Sequence, residues 1–173
     1  MLRNFLPVGQ GAFYCESFRC KNGKKINVVY DCGSSTDVKI VEYEIINNFK
    51  QGEVIHALFI SRLDEDHVNG IPFLLKYCNV KNVFYTIISD KDKLDLKIYL
   101  QIIDKNGFAY RFLNEPFQTV REYSSFKKIA IYGIEDDSKC EFSYEKPEGV
   151  TLVKSVENVA DIIFKEVVIE ISN

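Results

Sequence analysis

Ile60-Ser61-Arg62-Leu63-Asp64-Glu65-Asp66-His67-Val68-Asn69-Gly70 decides how this chain is read, because it sets three acids and one of only 2 histidines between two apolar runs. Ahead of it, Ala57-Leu58-Phe59-Ile60 is apolar without polar alternation, the pattern of a strand buried on both faces. Behind it, Ile71, Leu74, Leu75 and Cys78 recur at helical spacing. The acids therefore fall at a strand-to-helix junction, and α/β folds place ligands just outside the carboxyl ends of their strands. Asp64 and Asp66 are two residues apart, so in an extended loop their carboxylates point to one side, with the His67 imidazole beside them. Two oxygens and one nitrogen suit zinc, manganese or iron better than calcium. A cation held there would bring the pKa of its bound water to about 7 and make hydrolysis the natural reaction class. The stretch is a metal cradle, the remains of one, or an acidic first helical turn favoured by the helix dipole.

Working outward, strand-like runs appear at Phe13 to Cys20 and Ile26 to Asp31, joined through Lys21-Asn22-Gly23-Lys24, whose Asn-Gly is a hairpin signal. Val38, Val41, Ile45 and Phe49 lie at helical spacing, ending near Gln51-Gly52. Beyond the motif, Val80 to Ile88 reads as a strand, and Leu96, Leu100 and Ile103 mark a helix that stops at Asn106-Gly107. Phe108 to Leu113 and Lys128 to Ile134 read as further strands. Near the end, Cys140 to Tyr144 and Val167 to Ile171 are strand-like, with Val156, Ala160 and Ile163 at helical spacing between them. Gly9-Gln10-Gly11 is a turn: the third glycine of a nucleotide loop would fall at Tyr14, and a strand follows rather than a helix. Asp31-Cys32-Gly33-Ser34-Ser35 ends a strand, and its local reading is a turn whose Asp or Ser caps the next helix.

The motif run resembles the metal-binding motif of the metallo-β-lactamase superfamily, His-x-His-x-Asp-His followed closely by Gly. It resembles in particular the variant of the competence-protein-like branch, in which Asp takes the second His position, matched here at Asp64, Asp66 and His67. Val8-Gly9-Gln10-Gly11-Ala12-Phe13 looks like that branch's opening hairpin, and Val28-Val29-Tyr30-Asp31-Cys32-Gly33 resembles its strand ending in Asp-x-Gly. The likeness covers residues 1–90 well, from about residue 4 onward, and 91–173 poorly. It implies a single domain over 1–173 of α/β class: an αββα sandwich with mixed sheets and outer helices, of which the first half and part of the second are present. It further implies Asp64, Asp66 and His67 as metal ligands, Asp66 and His67 as the catalytic pair, and Asp31 as a brace for the loop that does not itself bind metal.

The departures bear on function more than the matches do. Arg62 falls where the family has its first imidazole ligand, and a guanidinium cannot coordinate a cation. The family draws two later histidines and a bridging Asp from the rest of its domain, yet no histidine follows His67. A two-metal site of the family's kind cannot be assembled from this chain. Arg62 is expected to pair with Asp64 and Asp66 and stand in for the cation. At ~4 Å and an effective dielectric near 20, one such pair attracts by about 4 kcal/mol before desolvation is subtracted. The expected function is a hydrolase-like pseudoenzyme with zinc or manganese weakly bound or absent, serving as an interaction module. The alternative is a metal-dependent hydrolase using Asp64, Asp66 and His67 on a single zinc or manganese. Most of the family's second half is expected to be missing, and a sheet face left apolar would favour a protein partner or a second copy of the chain.

Composition bounds the rest. A chain of 173 residues is ordinarily one domain, and 46% hydrophobic content is ample for a core. A net charge of -3, with Lys24-Lys25 and Lys127-Lys128 isolated, gives no electrostatic reason to expect nucleic acid or a membrane surface. No apolar stretch approaches the ~20 residues of a bilayer span, and Met1-Leu2-Arg3-Asn4 is not followed by a secretory core, so the expected location is cytoplasmic. The 5 cysteines are an odd number without a C-x-x-C pair, which fits free thiols in a reducing compartment. Cys32 is read as a small hydrophobe rather than a nucleophile partnered by His67, and His56, just before the buried strand, as structural.

Overall fold

Alternation along the first strands decides which side of the sheet each residue serves. A computed structural model of the chain describes residues 1–20, 23–126, 128–134, 146–153, 159, 162 and 163. In chain order its elements are β1 (Leu2–Phe5), β2 (Gly11–Arg19), β3 (Lys25–Ser34), α1 (Val38–Asn48), β4 (Val54–Ile55), β5 (Ala57–Ile60), α2 (Glu65–Val68), α3 (Ile71–Tyr77), β6 (Asn79–Val80), β7 (Asn82–Thr86), α4 (Asp90–Asp104), α5 (Phe108–Asn114), α6 (Pro116–Tyr123), β8 (Ala130–Ile134) and β9 (Thr151–Val153). One sheet runs β1-β2-β3-β5-β7-β8-β9, antiparallel across β1, β2 and β3 and parallel from β3 onward; β4 and β6 form a small parallel pair. The β2–β3 hairpin closes where Asn-Gly predicts, with Gly23 at φ +85°, a conformation open to glycine at little cost.

Helices cover one face. Val41 and Ile45 of α1, Ile71 and Leu74 of α3, Phe112 of α5 and Val120 of α6 pack on Val29, Leu58, Val83 and Ile131 of the sheet. The unbroken apolar run of β5 follows from this burial: Ala57 and Leu58 are both 0% exposed although they point to opposite faces. On the other face, pairing aligns Phe5, Tyr14, Tyr30, Phe59, Phe84 and Tyr132 in one row across six strands. Neighbouring ring centroids in that row are 4.5 to 5.5 Å apart. Val159 and Ile163 pack with Ile26, Val28, Ala57 and Phe84 on the same face, while Phe5 stays 84% and Tyr30 40% exposed.

The described residues thus form an α/β unit, a central, mostly parallel sheet flanked by helices. Three expectations need correction. Phe108 to Leu113, read as a strand, is α5: Phe108 stacks on Phe112 one turn later at 5.5 Å, and Gly107 begins the helix. A six-residue apolar run does not by itself distinguish strand from helix. Val80 to Ile88 is not one strand, because β6 leaves the main sheet to pair with β4 and β7 ends at Thr86. The cap of α1 is Asp37, whose carboxylate accepts from the Lys39 amide at 2.9 Å, rather than an Asp or Ser of the 31–35 segment. Helix α6 is an element that periodicity left unassigned. Cys140 to Tyr144, Val167 to Ile171, Val156 and Ala160 lie outside the described residues, whereas Ile163 is helical, as its spacing predicts.

Candidate functional site

The carboxyl ends of β3 and β5 meet at Asp31, and a bulge aims it. Between the pairs Ala12↔Gly33 and Tyr14↔Tyr30, β3 carries one residue more than β2. Bulges of this kind re-aim a side chain. Asp31 absorbs the extra residue with φ +52°, a left-handed conformation that costs a non-glycine residue roughly 1–2 kcal/mol. Its carboxylate offsets that cost by accepting three hydrogen bonds: Oδ1 from the Ser61 amide at 2.9 Å, and Oδ2 from Ser61 Oγ at 2.6 Å and His67 Nδ1 at 2.8 Å. Asp31 is 7% exposed, so these partners replace water at a buried charge.

Two close approaches hold α2 against β3. A Cβ on Gly33 would lie 2.6 Å from the backbone of Asp66 and His67, so only glycine lets the helix rest there. Gly70 is similarly tight, with a Cβ placed 2.4 Å from Val41 Cγ1, and its amide donates to the Cys32 carbonyl at 2.9 Å. Asn69 completes the clamp by accepting from the Ser34 amide at 3.0 Å and donating to the Ser34 carbonyl at 2.7 Å. Ser34 Oγ in turn donates to the Val8 carbonyl at 2.5 Å, which ties the Gly9-Gln10-Gly11 turn to the same corner. The Asp-x-Gly pattern at Asp31 and Gly33 therefore has a steric and a polar cause.

Charge is then arranged along the loop. Arg62 Nε lies 3.1 Å from Asp64 Oδ2, and an Arg62 Nη lies 3.7 Å from Asp66 Oδ2. The Arg62 and Asp64 side chains are 57% and 44% exposed. At that exposure the pair is worth about 0.2–1 kcal/mol, well under the unscreened figure of ~4 kcal/mol. Arg62 therefore fixes the arrangement of charges more than it stabilises the fold. His67 stands between two carboxylates, Nδ1 at Asp31 and Nε2 3.7 Å from Asp66 Oδ2. A carboxylate only accepts, so His67 Nδ1 donates to Asp31. Ser61 Oγ approaches that same nitrogen, at 3.4 Å, and gives its own proton to Asp31. A relay needs the serine and the acid on opposite ring nitrogens, so Ser61, His67 and Asp31 do not form a nucleophilic triad.

The donor set also bears on zinc or manganese. Of the three expected ligands, Asp66 and His67 converge, while Asp64 is turned to Arg62. Among the described residues no three His, Cys, Asp or Glu side chains gather as a metal site. A cation on Asp66 and His67 would have the guanidinium as its neighbour and would lack the third protein ligand of a catalytic zinc. The residues as arranged do not fit a tightly held ion.

Cys32 is 0% exposed, and burial pushes its thiol well above the usual range, with Cys78 and Asp31 adding to the effect. It is an inert core thiol rather than a nucleophile. His56 is buried at the far end of β5 and accepts from the Asn27 amide at 3.2 Å, remote from the loop. Ser61 and Asn69 are site residues that the sequence reading passed over. The available signal was position alone: one follows a buried strand directly and the other precedes the close-packed Gly70.

No family model matches the chain, and no curated protein matches it. A solved structure similar to it is that of human tRNase Z, short form (ELAC1), with 16% identity, 90% of this chain covered and a TM-score of 0.44. The match covers 53% of that structure, so this chain spans about half its length.

Proposed function

We propose that this chain is a catalytically silent member of the metallo-β-lactamase-like proteins, serving as an interaction module, in which the Arg62 guanidinium occupies the place of a metal. The observation that carries this reading is the position of Arg62, 3.1 Å from Asp64 and 3.7 Å from Asp66. Metal analysis of the purified chain after dialysis tests it: the expected result is substoichiometric zinc and manganese, and a stoichiometric ion surviving dialysis overturns it. Replacing Arg62→His together with Asp64→His puts imidazoles at the first two His positions of the superfamily motif. Zinc uptake by the double variant alone would mark a preserved cradle with lost ligands.

One observation favours a second reading, a single-metal hydrolase using Asp64, Asp66 and His67. Asp31 on Nδ1 leaves His67 Nε2 facing Asp66, which is how an outer carboxylate orients a metal-binding imidazole. Manganese-dependent hydrolysis of a simple phosphodiester or ester, lost in His67→Ala, would establish that reading over the first.

The partner is a protein or a second copy of this chain. Leu94, Ile98 and Ile102 recur one turn apart on α4 and are 57%, 52% and 80% exposed, and Phe5 adds apolar surface at the sheet edge. Nucleic acid is a poor fit. Besides the net charge of -3, Tyr30, Phe59, Phe84 and Tyr132 stack on one another within 18° of parallel, so their facing ring surfaces are taken up by each other rather than left for bases. Cys15, Cys20, Cys32 and Cys78 are free thiols, which suits the reducing cytoplasm. No helix among the described residues is long and apolar enough to cross a membrane. Light scattering across a concentration series tests self-association, and a monomer at every concentration shifts the assignment to a heterologous protein.

A further inference from the structure

Beside the acidic loop, the carboxyl ends of β5 and β7 open into a cavity of about 210 Å³ that the metal-loop chemistry does not use. Its walls are apolar, from Ile60 and Leu63 on one side to Leu96 of α4 and Phe112 of α5 on the other. Among the described residues two cations line it, Arg62 and Lys93, and one carboxylate, Asp90. Arg62 engages Asp64 through Nε at 3.1 Å, and its Nη contact to Asp66, at 3.7 Å, is beyond hydrogen-bond length, so guanidinium donors remain for a further anion. The Tyr85 hydroxyl, also in the lining, is buried without a hydrogen-bond partner among the described residues. Such a group is costly to leave unsatisfied and calls for an acceptor. Burial pushes its pKa up to about 12, which keeps it a donor at neutral pH.

We propose that this cavity binds a small amphipathic monocarboxylate. Its short alkyl chain or single ring lies against Ile60, Leu96 and Phe112, its carboxylate meets Arg62 and Lys93, and an oxygen on its body accepts from Tyr85. The volume is below the ~300–1,000 Å³ of sites for drug-sized ligands, so one chain or one ring fits rather than a fused system. Lys93 and the guanidinium donors that Asp64 leaves over favour an anion, and the planar guanidinium suits a carboxylate in particular. The site shares Arg62 with the proposed metal-replacing pair, yet it needs neither a bound metal nor a protein partner.

Isothermal titration calorimetry with octanoate, its 4-oxo derivative, octanol and octylamine reads the proposal directly. Octanoate is expected to bind at least about tenfold tighter than octanol, the worth of a charge-assisted contact, with octylamine weakest. The 4-oxo acid should gain affinity over octanoate in the parent and lose that gain in Tyr85→Phe. Lys93→Ala and Arg62→Ala should each weaken octanoate by about tenfold while leaving octanol unchanged. Leu96→Trp, which fills the cavity from an exposed helix, should abolish binding of every probe while the chain keeps its circular dichroism spectrum. Equal binding of octanol and octanoate, preference for the amine, or octanoate binding that survives Leu96→Trp each overturns the assignment, as does no binding by the folded parent.

Discussion

The chain's two histidines stand at opposite ends of one strand, β5, in opposite environments. His56, ahead of the strand, is 3% exposed, and its Nδ1 accepts from the Asn27 amide at 3.2 Å. Around it Asn27 bridges to the Val54 carbonyl and the Glu53 carboxylate, and Asn82 donates to the His56 carbonyl at 2.8 Å. His67, behind the strand, has its Nδ1 on a buried carboxylate and its Nε2 facing another, beside a backbone held at positive φ. The amino end spends its polar groups on mutual hydrogen bonds that fix how β3, β5 and β7 line up. The carboxyl end collects charge, a bulge and strain, features that stability alone does not call for. The difference sets an architectural end of the sheet against the end that carries the candidate site, the end where parallel sheets commonly place ligands.

Acid should break the comparison at its architectural end first. Burial, then Lys24 and Lys81, lower the His56 pKa from 6.5 to about 4. Above the unfolded value, near pH 6.5, both states are neutral and the contribution is complete. As pH falls toward 4 the unfolded chain takes up a proton that the folded chain refuses, so stability is lost through that window, by up to about 3 kcal/mol. Urea unfolding of the parent and His56→Phe across pH 4 to 7 isolates this component from the carboxylates titrating nearby. A parent slope no steeper than the variant's would show that His56 is not buried neutral. At the other end, Gly33→Ala forces a methyl group into the backbone of α2, and overpacking of that order should cost about 2 kcal/mol. The same variant should broaden the His67 ring resonances while leaving those of His56 sharp.

How far these two ends were legible follows from what each signal encodes. The strand before the acidic loop and the helix after it were readable because an unbroken apolar run and a 3.6-residue period are local. Asp31 was linked to the loop only by resemblance; its bulge depends on pairing with β2, which no local pattern reports. Phe108 to Leu113 read as a strand because six residues cannot separate the two periods, and the stacking of Phe108 on Phe112 that decides for helix is visible only once folded. Helix α6 escaped because Gln118, Arg121 and Glu122 dilute its apolar positions and Pro116 looks like a break, although proline suits a first turn. The aromatic row and the cavity by Tyr85 rest on registers between strands, antiparallel up to β3 and parallel beyond it, which sequence periodicity does not set.

The remaining variants separate strain from charge at the carboxyl end. Asp31→Ala and Asp31→Gly remove the same three hydrogen bonds, but only glycine accepts φ +52° freely. The glycine variant should therefore be the more stable of the two by about 1 kcal/mol, measured as the difference in urea midpoints at equal slope. Equal midpoints would mean that the bulge relaxes once its carboxylate is gone, so that Asp31 makes the bulge rather than merely occupying it. Arg62→Ala should have the smallest effect on folding, within about 0.5 kcal/mol, because its ion pairs face water. A loss several times larger would mean that the guanidinium is a structural keystone of the acidic loop. The predicted near-silence in stability, combined with a changed affinity for anions, would instead mark Arg62 as a residue retained for recognition.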